Sequence, residues 1–248
     1  MIKNNKILKV IFKKIAFNNI NPNKFKKYIL KNGLFVFPSG PGLANIEKSK
    51  IYHNSLQKAD FVFFDSGFFV LLLKIFKNIN VIKFSGYKFL SLFFDYLKKN
   101  NKKKIFLIDP NVNFSKSNKL YLKNLGIKKI NNYLAPIYNT KNLTDKKLLR
   151  LIEKIKPNFI LINIGGGIQE VLGLYLKKKL KLKVRIICTG AAISFFTGDQ
   201  APINNFVDKY YLGWLVRFFY NPLIFFKRYF IGLKLIPMVI YNKIKLKY

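Results

Sequence analysis

Ten carboxylates stand in the chain: Asp60, Asp65, Asp95, Asp109, Asp145, Asp199, Asp208, Glu47, Glu153 and Glu170. With a single histidine, His53, and a single cysteine, Cys188, they bound what chemistry is possible. A Cys/His zinc site or a Cys–His nucleophilic pair would have no spare members. An internal disulfide is ruled out, and a lone thiol fits a reducing compartment. Carboxylate catalysis therefore falls to one of the ten. Asp95, Asp145 and Glu153 lie inside or at the start of helical patterns beside lysines, which reads as solvated face or N-cap. Asp65 follows Phe61-Val62-Phe63-Phe64 and precedes Ser66-Gly67, so it stands at the carboxyl end of a strand. An aspartate there, against a desolvated floor, can serve as a general base. It can equally cap a helix over 67–77, and position along the chain leaves both open. His53 reads as helix surface or core, and Cys188, within a strand, as core.

No Asp-x-Asp pair occurs, so the acidic ligands that often hold a divalent ion on a diphosphate are missing. No metal and no cofactor is expected. A leaving diphosphate would be neutralised by cationic side chains and backbone N–H groups, with Lys83, Arg217, Lys227 and Arg228 as candidates. Arginine is the better bidentate clamp. The turn Gly165-Gly166-Gly167-Ile168-Gln169-Glu170 joins a strand to a helix, where amides can meet an anion. It is not G-x-G-x-x-G, and a tight structural turn explains it equally well.

The elements that must position these groups follow an alternation. Leu34–Phe37 is apolar and ends at Ser39-Gly40-Pro41-Gly42. Phe61–Phe64 ends at Asp65-Ser66-Gly67, Val81–Phe84 at Ser85-Gly86, and Ile105–Ile108 at Asp109-Pro110. Phe159–Ile162 runs into the triple glycine, and Val184–Ile187 into Gly190. Helix-period segments such as 87–99 and 145–156 lie between. Strand, turn and helix repeated six times predict an α/β fold, a parallel sheet with helices on both faces. In such sheets ligands bind beyond the carboxyl ends of the strands, so Asp65, Ser66, Asp109 and Gly165–Gly167 are expected to face one cleft.

The two ends differ from this middle. Residues 1–31 carry nine lysines and no acid, with Ile7, Leu8, Ile11, Phe12 and Ile15 at helical spacing. They predict a basic amphipathic helix, on a membrane or packed on the domain. Residues 209–248 hold eight Lys/Arg, no acid and twelve aromatics, without strand alternation. Basic residues interleaved with rings suit a lipid interface, and they could also hold a nucleic-acid strand. The expected organisation is thus 1–31 basic segment, 32–200 α/β core, and 201–248 a basic, aromatic helical appendage apposed to a membrane.

The chain of 248 residues, half hydrophobic, with 46 basic and 10 acidic residues and a net charge of +36, can bury a large core and is not disordered. Codon bias toward lysine accounts for part of that charge, but the field still favours polyanions. Apolar runs are broken by charge at Asp65, Lys74, Arg217 and Lys227, too short for the ~20 residues of a span. Lysines every few residues do not fit a signal peptide.

In order and spacing, these fragments resemble the WecG/TagA/CpsF family of bacterial glycosyltransferases over roughly residues 33–230. The matching pieces are Ala59-Asp60 through Asp65-Ser66-Gly67, Lys83 through Tyr87, Gly165 through Glu170, Thr189-Gly190-Ala191 to Ala201-Pro202, Leu212 through Arg217, Asn221-Pro222, and Lys227-Arg228-Tyr229. The resemblance implies a Rossmann-like core of the GT-E type. It also implies inverting, metal-independent transfer from a UDP-sugar, usually UDP-N-acetylmannosamine, to a polyprenyl-diphosphate-linked acceptor for a cell-surface polysaccharide. The resemblance would make Asp65 the base and Arg217 and Arg228 the arginines of the appendage, and the further candidates for substrate contact are Ser39, Ser66, Lys83, Gly165, Gln169, Glu170 and Ser194. The implied setting is cytoplasmic, peripheral on the inner face of an anionic membrane, with no nucleic acid as partner. The chain departs from the family pattern at Ile193-Ser194, Gln200, Gly213 and Pro38–Pro41. Rival expectations are a catalytically silent subunit of a polysaccharide assembly complex and a basic nucleic-acid-binding protein.

Overall fold

A computed structural model describes residues 8–200, 216, 219 and 222–248. Ile7 lies outside the described residues, and from Leu8 to Asn18 the lysine-rich start is not a helix. It is a hairpin, β1 (Lys9–Phe12) and β2 (Ile15–Asn18), whose Val10, Phe12, Ile15 and Phe17 all point into the core. The apolar residues satisfied a two-residue period as well as a helical one, and cross-strand burial favoured the former. Lys13 and Lys14 both take positive φ, which gives the two-residue turn whose twist suits a hairpin.

The α/β alternation then runs as expected. After α1 (Phe25–Ile29) come β3 (Gly33–Val36), α2 (Gly40–Ala44), α3 (Lys50–Gln57), β4 (Phe61–Phe63), α4 (Gly67–Lys77) and α5 (Gly86–Lys99). They are followed by β5 (Ile105–Asp109), α6 (Val112–Asn124), β6 (Ile130–Leu134), α7 (Lys146–Ile155), β7 (Phe159–Ile162), α8 (Ile168–Lys179), β8 (Arg185–Cys188) and α9 (Ser194–Thr197). The chain closes with α10 (Pro222–Gly232), α11 (Leu235–Tyr241) and β9 (Lys245–Lys247). Val81–Phe84 is not a strand. Its Phe84 N–H reaches the Phe64 carbonyl, but its Ile82 N–H goes to the Asn19 side chain, so no ladder forms. The tail, expected to lack strands, supplies β9.

The nine strands lie in the order β6-β5-β7-β8-β3-β4-β2-β1-β9. All pairings are parallel except those of β1, which runs against β2 and β9. One hydrophobic layer joins α2, α3, α4, α7, α8 and α11 to one face of the sheet. The other joins α1, α5, α6 and the segment around α9 to the opposite face, and is rich in phenylalanine. Ring pairs such as Phe37–Phe63 at 4.7 Å and Phe37–Phe89 at 4.9 Å fill it. Strands buried on both faces explain the unbroken apolar runs of the sequence.

Candidate active site at the carboxyl edge of the sheet

Asp65 lies half-buried two residues past β4, between two helix beginnings. Ser66, not Asp65, caps α4, its Oγ accepting the Phe69 N–H at 3.2 Å. This releases the aspartate from the capping alternative. Asp65 Oδ1 instead accepts the N–H of Gly86, the first residue of α5, at 2.8 Å. The positive end of the 14-residue α5 thus meets this carboxylate, and α4 begins two residues after it, a setting that stabilises negative charge.

Neighbouring loops close on this point. Ser39 caps α2 by accepting the Gly42 N–H at 3.3 Å. A Cβ on Gly40 would lie 2.9 Å from Ser66 Oγ, and one on Gly86 would touch Thr189 and Ala192. The loops after β3, β4 and β8 therefore meet around Asp65, and glycine is what lets them approach. Leu235 of α11 packs at Gly40 and is fully buried, so the C-terminal segment forms part of the rim.

Behind Asp65 is a phenol that the sequence did not flag. Tyr52 of α3 is buried, and a Cβ on Gly42 would meet its hydroxyl at 2.9 Å. Burial first, then the charges of Glu170 and Asp65, push its pKa well above the ordinary value. Tyr52 thus stays protonated, within electrostatic reach of two carboxylates. Nothing in the helical stretch Lys50–Gln57 marks this residue, because its neighbours come from distant strands.

The glycine turn is organised by the buried side chains of Gln169 and Glu170. Gly167 has φ +92°, a conformation that favours glycine. Its N–H donates to Glu170 Oε2 at 2.7 Å, and Gln169 Nε2 donates to Oε1 at 3.0 Å. Burial raises the Glu170 pKa to about 7, opposed by these hydrogen bonds and assisted by Asp65. Gln169 Nε2 also lies by the turn after β8, 3.3 Å from where a Cβ on Gly190 would be. Gly165 and Gly166 face open space.

Lys83 belongs to the extended segment whose Phe84 and Gly86 bond to Phe64 and Asp65, so the backbone carries it alongside the site. Ser194 is 2% exposed at the start of α9, an internal position rather than a surface contact. Arg228 lies exposed on α10, which packs against α2. Arg217 falls outside the described residues. His53 Nε2 meets the Lys13 carbonyl at 2.7 Å, a tie between α3 and the hairpin. Cys188 is buried in β8.

Asp109 departs from the expected common cleft. It stands at the carboxyl end of β5, four strand spacings or ~19 Å across the sheet from β4. It is fully buried, with Oδ1 accepting from Asn118 Nδ2 and Asn163 Nδ2 at 2.8 Å each. Burial raises its pKa against the pull of Asn163, Asn118 and Ser115. Asp145 does cap α7, through the Leu148 N–H at 2.8 Å, but it is buried rather than solvated and also accepts the hydroxyls of Tyr133 and Tyr138.

The sheet order adds a feature the sequence could not give. From β5 the chain moves outward to β6 through α6, whereas from β7 it moves inward to β8 through α8, on the opposite face. The carboxyl ends of β5 and β7 thus flank a topological switch point, where open α/β sheets bind nucleotides. A cavity of about 190 Å³ there is lined by Pro110, Ala135, Pro136, Ile137, Tyr138, Ile164 and Ile168. A cavity of about 300 Å³ lies at the other end of the sheet, near Gly33 and Asp60. There Asp60 accepts the Leu34 N–H and pairs with Lys177 at 2.7 Å.

A mostly parallel sheet, wound on both faces, with a switch point and a carboxylate on its carboxyl edge, defines a Rossmann-like α/β enzyme architecture. The family model described as "Glycosyl transferase WecG/TagA/CpsF family" matches residues 6–247, and the chain belongs to that family. A search of curated proteins finds no match. Among the described residues no helix is long and apolar enough to cross a membrane, and no three His, Cys, Asp or Glu side chains group to hold a metal.

Proposed function

We propose that this glycosyltransferase moves a sugar, such as an N-acetylhexosamine, from a UDP-sugar to a polyprenyl-diphosphate-linked acceptor, with inversion and without a metal. The observation that carries the reading is Asp65: half-buried, at a strand's carboxyl end, with one oxygen fixed by Gly86 N–H. A base needs a fixed carboxylate beside the proton it takes, and the loop glycines leave room for substrate.

In the proposed step Asp65 takes the acceptor hydroxyl proton as that oxygen attacks the anomeric carbon from the face opposite UDP. The bond from that carbon to the diphosphate oxygen breaks, and UDP leaves with the electron pair. Lys83, Arg217 and Arg228 neutralise the growing charge. The nucleotide sits over the β5–β7 switch point, with its sugar reaching toward β4. Both Glu170 oxygens are engaged by its own turn, so Glu170 shapes the glycine loop rather than grasping the substrate, and the Gln169 side chain lies between that loop and Gly190. Ser39 and Ser66 fix the loops on either side of Asp65 by their caps.

A panel of UDP-sugars, a polyprenyl-diphosphate-sugar acceptor in liposomes and EDTA throughout tests this reading. Release of UDP that depends on the acceptor, together with a heavier lipid product, is expected and would name the donor. A folded protein that binds the lipid yet transfers from no donor would sink it in favour of a silent assembly subunit.

A further inference from the structure

The amino edge of the sheet, opposite Asp65, holds a slot that the proposed reaction does not use. Its floor is aliphatic: Leu176 of α8, Leu180 at the end of that helix, Val184 leading into β8, and Ile186 within it, all buried. Leu182 is half-buried at the mouth, beside exposed Lys183. The cavity measures about 300 Å³, room for one large apolar side chain. Gly33 forms part of the wall. With φ +138° it sends no side chain into the slot, and a Cβ there would lie 2.6 Å from Asp60 Oδ2. This leaves room for Asp60 to accept the Leu34 N–H at 2.8 Å with one oxygen and Lys177 Nζ at 2.7 Å with the other. The carboxylate that lines the slot is therefore already engaged at both oxygens. An apolar concavity open to water marks a binding surface.

Charge around the mouth selects the occupant. Residues 171–198 contain no carboxylate, and five lysines fall between 177 and 183. The dipole of α8 accounts for Lys177, Lys178 and Lys179 in its last turn. Lys181 and Lys183 lie beyond the helix, exposed, and frame the slot. Exposed Lys31 adjoins Asn32 on one side, and exposed Lys58 accepts from Lys177 Nζ through its carbonyl at 2.9 Å on the other. A second copy of a chain at +36 would set like charge against like. A nucleic-acid strand would match the cations, but its bases stack on rings and this slot is aliphatic. A bilayer surface does not enter a concavity. The slot also faces away from any lipid that presents an acceptor to Asp65, a step that rests on the function proposed above. An acidic peptide with one large apolar side chain satisfies both features, carboxylates for the lysines and an anchor for the slot.

We propose that the amino edge between β3, β8 and the end of α8 is a docking site for an acidic segment of a partner protein. The segment seats a side chain the size of leucine or phenylalanine in the slot and lays carboxylates against Lys178, Lys181 and Lys183. The anchor holds the complex, while the charges speed approach and discriminate against basic partners. The dock stands a strand's length, ~13 Å, from the carboxyl edge, so a bound partner leaves the Asp65 site open.

Fluorescence anisotropy with the full chain tests this. The probe is a short labelled peptide of aspartates and glutamates around one central phenylalanine. One control replaces that phenylalanine by serine, and another replaces the acids by glutamine. The probe is expected to bind about tenfold tighter than either control and to weaken as salt rises. Lys181→Glu combined with Lys183→Glu is expected to weaken the probe by about tenfold. Leu182→Asp, at the mouth, is expected to erase the preference for phenylalanine over serine. Both variants should keep the melting temperature and sugar transfer of the parent. The lysine pair changes only exposed side chains, so it carries the test even where Leu182→Asp unfolds. Equal binding of the probe and either control, or indifference of the probe to the lysine reversal, would overturn the proposal. So would an oligonucleotide or an anionic vesicle that loses more affinity than the probe in the lysine variant. No binding arm needs sugar transfer, so an inactive protein that still prefers the probe counts against the proposed function and leaves the docking site standing.

Discussion

Asp65 and Asp109 each follow four consecutive apolar residues and end on the same edge of one sheet. Asp65 is half-buried, meets the start of α5 through Gly86, and is ringed by loops that glycine thins. Asp109 is fully buried, with Asn118 of α6 and Asn163 after β7 folded over it. The helix following each strand makes the difference. α4 starts at once after Asp65, so its cap falls to Ser66, whereas α6 places an asparagine one side chain's length above Asp109. A carboxylate at a strand end becomes a candidate base or a structural tie according to what the next helix lays over it.

The widest separation between the two should appear in turnover. Asp65→Asn keeps an oxygen for the Gly86 N–H but cannot take a proton, and is expected to lower transfer by ~10²–10⁴-fold with the melting temperature preserved. Asp109→Asn should leave transfer close to wild type. Equal losses in the two would break the distinction, and a UDP-release assay reads both.

Glu170 sharpens it through pH. Its pKa is about 7 in the fold against an ordinary value of 4.5, so between these values the unfolded chain has released a proton that the fold still holds. Stability therefore falls as pH rises from about 4.5 to 7, by up to about 3 kcal/mol, and is level above. Urea unfolding at several pH values should show that slope, and Glu170→Gln should flatten it.

Asp109→Ala comes next. It strands the amides of Asn118 and Asn163 in the core and should cost about 1–3 kcal/mol, seen as a shift in the denaturation midpoint with transfer largely retained. Smallest is Ser66→Ala, which removes the α4 cap and should cost about 1 kcal/mol. A much larger fall in transfer than in stability for Ser66→Ala would mean the hydroxyl also touches substrate.

Much of the sheet was legible. Leu34–Phe37, Phe61–Phe64, Ile105–Ile108, Phe159–Ile162 and Val184–Ile187 all contribute strands, because interior parallel strands must be apolar on both faces. β6 escaped notice, since Ile130-Asn131-Asn132-Tyr133-Leu134 is an edge strand with exposed side chains. Val81–Phe84 misled in the other direction, being apolar without a partner strand. Of the site, Asp65 and the glycine turn were visible as polar groups at strand ends. Tyr52, the Asn118–Asn163 pair and the bond from Gly86 to Asp65 were not, because only chain crossings bring these groups near a carboxylate.

The order of residues fixes the α/β alternation, the small set of usable carboxylates and the basic, ring-rich tail, since each depends on local composition or on periods of two and 3.6 residues. The folded arrangement alone makes a hairpin of the lysine-rich start, where both periods fitted and burial of Val10, Phe12, Ile15 and Phe17 against β4 and its helices chose between them. It likewise parts Asp65 from Asp109 and leaves a slot open between the end of α8 and the amino edge of the sheet. These follow from which distant segments cover a given side chain, a property of contacts between elements rather than of any stretch of sequence.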